Sequence, residues 1–447
     1  MSDQRSDNTG RTAGEMEAGG DAAGDDPHHD PFQPADWPAV SVIVVSHGRA
    51  DLLPRCIASL RTLTHRPFEV IVVADTPGLA ALKASGDLAD LKTATLDEPN
   101  ISKARNIGIA LAAAPLTAVL DDDAVARPDW LTRLVAGFAL PGIAAAGGYV
   151  IGRNGFSYQW KARRVDALGQ AVEFDPGAGP VCLPDTGPDH AVKLEGTNCA
   201  FRTGLLRQMG GFDEGFRFYL DETDLCWRLH ATGHPVALIP GALVDHGFAA
   251  SARRGADRVP KSLREIGASS VLYLRKHAPE SARAGAIDDL RRQQWGRLTK
   301  LLGKGRLTRD QLQRLLDGLA SGLAEGEHRA STPGRFDAAP PPFKPFPAWG
   351  QAGRTKVLAG RPWQKKRLFK RASALAAQGV LAHVIILWPS ARVHRRWFDP
   401  RGFWVQEGGL FGRADRAEPL FRLTSFRRRV AREAQAFPYP ENPDYSG

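Results

Sequence analysis

VSVIVVSHGR, residues 40–49 of a 447-residue chain, is a near-continuous β-branched apolar run that closes on a turn. A strand with one wet face alternates apolar and polar residues. One that is apolar at every position is buried on both faces, as in the interior of a parallel sheet. The pattern recurs twice: FEVIVVA (68–74) ends at Asp75, and LTAVL (116–120) ends at Asp121-Asp122-Asp123. Helical patterns lie between these runs, at Asp51–Leu63, around Leu79–Ala84 and in the alanine-rich Ser102–Ala113, with a short strand near Lys92–Leu96. Such β-α alternation predicts an α/β fold, a Rossmann-like mixed, mostly parallel sheet with helices on both faces. Ligands of such sheets bind beyond the carboxyl ends of the strands. The polar residues at those ends therefore carry the functional information.

Downstream, Pro128 opens a helix, Ile143–Val150 reads as a strand, and the pattern is irregular to about Leu194. Helical signals return at Gly204–Met209 and at Asp221–Thr232, the second closed by Gly233. Val236–Ile239 and Ala242–Val244 are expected as two short strands ending at Asp245-His246. Ser262–His277 and Leu290–Leu323 are amphipathic and helical. PPPFKPFP predicts a linker. Beyond it, Lys356–Ala359, Trp363–Gln378 and Val380–Leu387 read as strand, helix and strand, a βαβ-like unit. The expected organisation is a disordered acidic tail (1–36), an α/β domain (37–250), a helical extension (251–329), a Pro-rich linker (330–350) and a small basic α/β region (351–447).

Hydrophobic residues make up 43% and charged residues 24% of the chain, which excludes fibrous and wholly disordered classes. The four cysteines, Cys56, Cys182, Cys199 and Cys226, form no CxxC pair, so neither a disulfide framework nor a zinc knuckle is expected. The net charge of +10 is uneven: residues 1–36 hold nine acids and two bases, while bases exceed acids by about twenty after Ala250. A basic part of this size suits an anionic membrane surface or a phosphorylated substrate. No nucleic-acid module is recognisable, so no nucleic-acid partner is expected. The first residues lack an apolar signal segment, and Val380–Trp388 is far short of the ~20 residues that cross a bilayer. A cytoplasmic protein is expected, in peripheral contact with the inner face of the membrane.

Three adjacent carboxylates repel one another, so burying Asp121-Asp122-Asp123 requires a cation or many donors. Hard divalent ions such as Mg²⁺ take oxygen ligands and bridge to phosphates. A bare DDD can also be an exposed acidic turn; its place at a strand end favours the first reading. A second acidic group, Asp221-Glu222-Thr223-Asp224, opens a helix. Helix-dipole compensation accounts for one or two of these acids, and Asp224 can pair with Arg228. A carboxylate held against a hydroxyl can also act as a general base. Asp75 can accept from a base or ribose, and Asn100, Ser102, Arg105 and Asn106 open a helix that offers donors to phosphate. His246 is a candidate third metal ligand, although a lone histidine is more often structural.

The motifs VSVIVVSHGR, FEVIVVAD, NISKARNIGIA, LDDDA, EGTNCAFR, GGFDEGF, DETDLCWRL and VDHG occur in an order that resembles the inverting family 2 glycosyltransferases. The resemblance covers about residues 38–250. It implies a GT-A fold, with the helical and small α/β regions as a C-terminal extension. It also implies a UDP-, GDP- or dTDP-sugar donor, a divalent cation (Mg²⁺ or Mn²⁺) and a glycan or glycolipid acceptor from cell-surface polysaccharide biosynthesis. By position, Ser46, His47, Asp75, Asn100, Arg105, Asp121 and Asp122 fall on the donor side. Asp123, Asp121 and His246 would hold the metal, and Glu195, Gly196, Thr197 and Asn198 fall on the acceptor side. The family's base comes from an acidic pair written ED; here the order is Asp221-Glu222, so Glu222 matches the usual base and Asp221 is the alternative. His47-Gly48 stand where many relatives have Tyr-Asn.

A dinucleotide oxidoreductase would need GxGxxG after the first strand, where HGRADLL stands instead. A nucleotidyltransferase would need a Gly-rich, Arg-bearing loop at the same place. The remaining competitor is a weakly active or inactive scaffold that binds membrane or polyanion through KKRLFKR, SFRRRVAR and the basic helices before them.

Overall fold

A computed structural model describes residues 37–247, 253, 255, 257–347 and 354–437; the acidic segment 1–36 lies outside the described residues. The three β-branched runs become β1 (Val40–Ser46), β2 (Phe68–Ala74) and β4 (Leu116–Asp121), with β3 (Lys92–Thr95) at the sheet edge. All four run parallel, in the order β3-β2-β1-β4. The helices between them are α1 (Leu53–Leu60), α2 (Thr76–Ser85) and α3 (Ile101–Leu111). Period-two geometry sends successive side chains to opposite faces. Val40, Val42 and Val44 meet α1 residues Leu53 and Ile57, while Ile43 and Val45 share the opposite core with α3 residue Ile109.

The sheet continues through β5 (Ala124–Ala126), α4 (Trp130–Ala136), β6 (Ala145–Ile151) and β7 (Tyr158–Trp160). A separate ribbon of three strands, β8 (Arg163–Asp166), β9 (Ala171–Glu173) and β10 (His190–Lys193), fills the stretch that reads as irregular. Then come β11 (Cys199–Arg202), α5 (Thr203–Gln208), α6 (Asp221–Ala231) and β12 (Val236–His246). The two short strands expected before His246 are one strand with a bulge between Ile239 and Leu243. That bulge brings the Ala242 carbonyl so close to Gly148 that any side chain there would collide with it. β11 is antiparallel to both β4 and β6, and β12 is parallel to β6. The carboxyl ends of β1, β2, β4, β6 and β12 therefore share one edge.

The helical extension comprises α7 (Arg264–His277), α8 (Glu280–Gly303) and α9 (Arg309–His328). The single helical stretch expected to run to Leu323 is broken after Gly303. Gly305 takes a left-handed φ of 66°, and Thr308 with Gln311 forms a capping box that starts α9. A small unit follows: β13 (Thr355–Gly360), α10 (Lys365–Ala377), β14 (Leu381–Trp388), β15 (Arg395–Asp399), β16 (Phe403–Gly409) and α11 (Phe426–Gln435). Its sheet order is β13-β14-β16-β15.

The Pro-rich segment read as a linker runs back over the large sheet. Phe346 is buried against Phe68, its N–H donating to the Phe68 carbonyl at 2.8 Å. The Lys344 N–H donates to Glu69, a fully buried carboxylate also paired with Lys92. Phe346→Ala is expected to cost about 3–5 kcal/mol, the range for truncating a buried phenylalanine. The measurement is chemical denaturation. A change within about 0.5 kcal/mol, typical of exposed sites, would mean the segment is a free tether.

Candidate active site

Polar side chains stand at the carboxyl ends of β1, β2, β4 and β12 on the shared edge. At the end of β1, Ser46 Oγ donates to Asp122 at 2.6 Å. His47 is exposed, with Nε2 2.9 Å from the Asp97 carbonyl. Asp75, after β2, caps α2: one oxygen accepts from Gly78 N–H and the other from Gly48 N–H at 2.6 Å. Asn100 caps α3 and donates to the Glu214 carbonyl. Ser102 and Asn106 are likewise turned to the loop after α5, donating to the Phe216 and Phe212 carbonyls.

The acidic triplet divides by depth. Asp122 and Asp123 are buried, and Asp121 is partly open. Burial pushes the Asp122 carboxyl up to about 7, against the opposing charge of Arg49. Arg49 pairs with Asp122 and lies 3.5 Å from Asp123. From the end of β12, His246 Nε2 stands 3.2 Å from Asp123 and 3.9 Å from Asp121. Its Nδ1 faces Gln159 Oε1 at 3.2 Å, a contact that orients the ring. One ligand atom each from Asp121, Asp123 and His246 lies within 4.8 Å of the other two. Two carboxylate oxygens and an imidazole nitrogen suit a divalent cation of the Mg²⁺ or Mn²⁺ kind.

The second acidic group sits at the first turn of α6. Two successive non-glycine residues in the left-handed region, Tyr219 (φ 74°) and Leu220 (φ 65°), turn the chain into that helix. Asp221 is buried and bonded to Arg105, whose other amino group lies 3.4 Å from Asp121 and 3.0 Å from the Gly196 carbonyl. One guanidinium thus joins the two acidic groups that the sequence separates by a hundred residues. Burial pushes Asp221 up to about 7 despite Arg105. Glu222 goes the other way. Burial opposes its ionisation, but the charge and hydrogen bond of Lys193, 2.9 Å away, hold it down at about 2.

Of the residues expected on the acceptor side, Glu195 pairs with Arg163 and lies 3.5 Å from Lys193. Thr197 is buried. Asn198 is fully buried and committed to the sheet: its amide donates to the Tyr149 and Ala242 carbonyls and accepts from Trp130 Nε1. Asp224 is buried and faces away, into a partly open group with Arg228, Lys276 and His277 that fastens α6 to α7. Arg49, Lys193, Arg163 and Gln159 complete the site without standing out in the sequence. Only Arg49, inside the quoted SHGR turn, and Lys193, two residues before the EGTN segment, had any local signal.

Among known families, "Glycosyl transferase family 2" matches residues 41–191. The Pre-mycofactocin glycosyltransferase of Mycobacterium tuberculosis is 29% identical over 260 residues, 56% of this chain and 51% of that protein. The Glucosyl-dolichyl phosphate glucuronosyltransferase of Haloferax volcanii is 25% identical over 224 residues, 46% of this chain and 68% of its own. The chain spans about half the length of the first of these relatives. Among solved structures, GalNAc-T7 with UDP, GalNAc and Mn²⁺ aligns at a TM-score of 0.42 and 17% identity, over 54% of this chain and 48% of that one.

Two outcomes follow from the geometry. Asp123→Asn should weaken Mn²⁺ binding about tenfold or more in calorimetry; unchanged affinity would remove the triad as a metal site. Lys193→Met should raise the Glu222 pKa from about 2 towards its ordinary 4.5, because burial is then opposed only by Arg105 and a backbone hydrogen bond. Carboxyl-carbon NMR titration reads this directly. The stability that the depressed pKa contributes is present above the ordinary value and is lost as pH falls towards 2. The variant should show that dependence more weakly.

Proposed function

We propose that the chain moves a glycosyl group from a nucleotide-diphosphate sugar to a hydroxyl acceptor on a glycan or glycolipid, as the match of residues 41–191 to glycosyl transferase family 2 supports. The observation that carries this reading is the Arg105 guanidinium shared by Asp121 and Asp221. It sets a metal-like triad and a paired carboxylate side by side on one sheet edge.

The reaction is a single displacement with inversion. A carboxylate of α6 takes the acceptor's hydroxyl proton, the freed oxygen lone pair attacks the anomeric carbon, and the bond to the diphosphate oxygen breaks on the opposite face with its electron pair. Glu222 is the favoured base, since its side chain is 18% accessible while that of Asp221 is 5% accessible and spent on Arg105. Lys193 keeps Glu222 ionised, and so competent to accept, across the neutral range. A divalent cation held by Asp121, Asp123 and His246 would supply positive charge to the departing diphosphate. Arg49, partly open to solvent above Asp122, can add a second positive charge there. Arg105 is a positioning residue: it is 2% exposed, and its amino groups are taken up by protein oxygens.

A thermal-shift screen of UDP, GDP and dTDP with and without Mn²⁺ identifies the nucleotide, and donor hydrolysis then identifies the sugar. No stabilisation by any of the three would count against a nucleotide-sugar donor. Glu222→Gln should leave nucleotide binding nearly intact and lower turnover about 10²–10⁴-fold. If turnover survives that change but disappears in Asp221→Asn, the base lies one residue upstream.

A further inference from the structure

Strand direction in the small sheet gathers three loops at one end. β13, β14 and β16 are parallel, so the segments that follow them leave from the same edge. β15 returns antiparallel with Arg395 opposite Glu407, and Phe421 folds back to bridge Gly412. Side chains tie the loops together: the Arg361 guanidinium lies 4.7 Å over the Phe426 ring, and the Phe411 and Phe421 rings are 5.5 Å apart.

This end carries five large apolar side chains that face solvent: Leu423 (80% exposed), Trp363 (76%), Leu420 (67%), Phe421 and Val393. Scattered singly, such residues need no explanation; gathered on one rim, they mark a surface that is covered in use. Exposed arginines are interleaved with them: Arg392 and Arg395 beside Val393, Arg422 between Phe421 and Leu423, and Arg427 and Arg428 at the start of α11. The nearby acids are already engaged. Glu407 accepts from Lys365 and Trp388, Glu418 pairs with Arg432, and Asp415 accepts from Ala417 N–H.

From this interleaving we infer that the carboxyl end of the small sheet docks on an anionic lipid bilayer. The aliphatic and aromatic groups would enter the interfacial layer while the guanidiniums stay on headgroup phosphates. A polyanion alone gives Leu420 and Leu423 nothing to bury against. A second copy meeting this face about a two-fold axis would bring arginines against arginines. The docked unit is seated beside the candidate active site: Arg396 N–H donates to the Asn154 carbonyl at 2.9 Å, in the turn that leads to Gln159 and so to His246. The surface stands independently of the glycosyl-transfer reading, and its test requires no turnover.

The test is co-sedimentation of the full chain with vesicles of equal parts phosphatidylglycerol and phosphatidylcholine, across a salt series. Binding is expected at low salt, weakening as salt rises, and absent on pure phosphatidylcholine. The double variant Trp363→Ser/Leu423→Ser should bind about tenfold or more weakly, since two large side chains leave the interface. Its thermal unfolding midpoint should be unchanged, because neither side chain is buried. No anionic-vesicle binding at low salt, or a double variant that binds like the parent, overturns the inference. So does self-association in sedimentation velocity that the double variant abolishes without any vesicle binding, and so does equal sensitivity of single-stranded DNA binding to the two substitutions.

Discussion

Six linked carboxylates crowd one edge of the large sheet, and the fold tolerates them by placing a nitrogen-bearing side chain between neighbours. Arg49 sits between Asp122 and Asp123, His246 between Asp123 and Asp121, and Arg105 between Asp121 and Asp221. After the step from Asp221 to Glu222, Lys193 continues the alternation to Glu195, which Arg163 closes. Like charges at this spacing could not all remain ionised in a poorly hydrated place without such an order. It also explains why adjacent carboxyls behave differently. Asp122 and Asp221 are pushed up because burial outweighs their partners, while Glu222 is held down because Lys193 and Arg105 together outweigh burial.

The order is made by topology. Parallel β1, β2 and β4 deliver Ser46, Asp75 and Asp121 to one edge, and antiparallel β11 reverses the chain so that β12 brings His246 to the same edge. α3 points Arg105 across the gap to α6. The helical extension then fixes α6 from behind: Lys276 and His277 of α7 reach the buried Asp224, and Lys276 also reaches Asp213. The first turn of α6 is thus gripped on both sides, by Arg105 at Asp221 and by α7 at Asp224.

Much of this was legible in the sequence, and the parts that were not share a physical cause. Continuous apolar runs admit only one reading when they recur between helices, so the parallel sheet and its acidic ends could be placed from residues 40–123. The ribbon β8–β10 was not legible because its strands are three or four residues long and half exposed, and periodicity is weak at that length. The partners of the carboxylates were not legible for another reason. Arg163 meets Glu195, Lys193 meets Glu222 and Gln159 meets His246 across strands and helices, and no local spacing records contacts of that range. The proline-rich stretch misled because composition reports stiffness, whereas Phe346 within it reports attachment.

That attachment bears on how the molecule is made. The Glu69 carboxylate is completed by Lys344 N–H, a partner 275 residues further along the chain. While the nascent polypeptide emerges from the ribosome, β2 lacks this partner until Lys344, 275 residues downstream, has been translated, and contacts so distant in order are slow to close. Until then the large sheet is an unfinished domain with an open aromatic slot at Phe68, the kind of surface that chaperones bind.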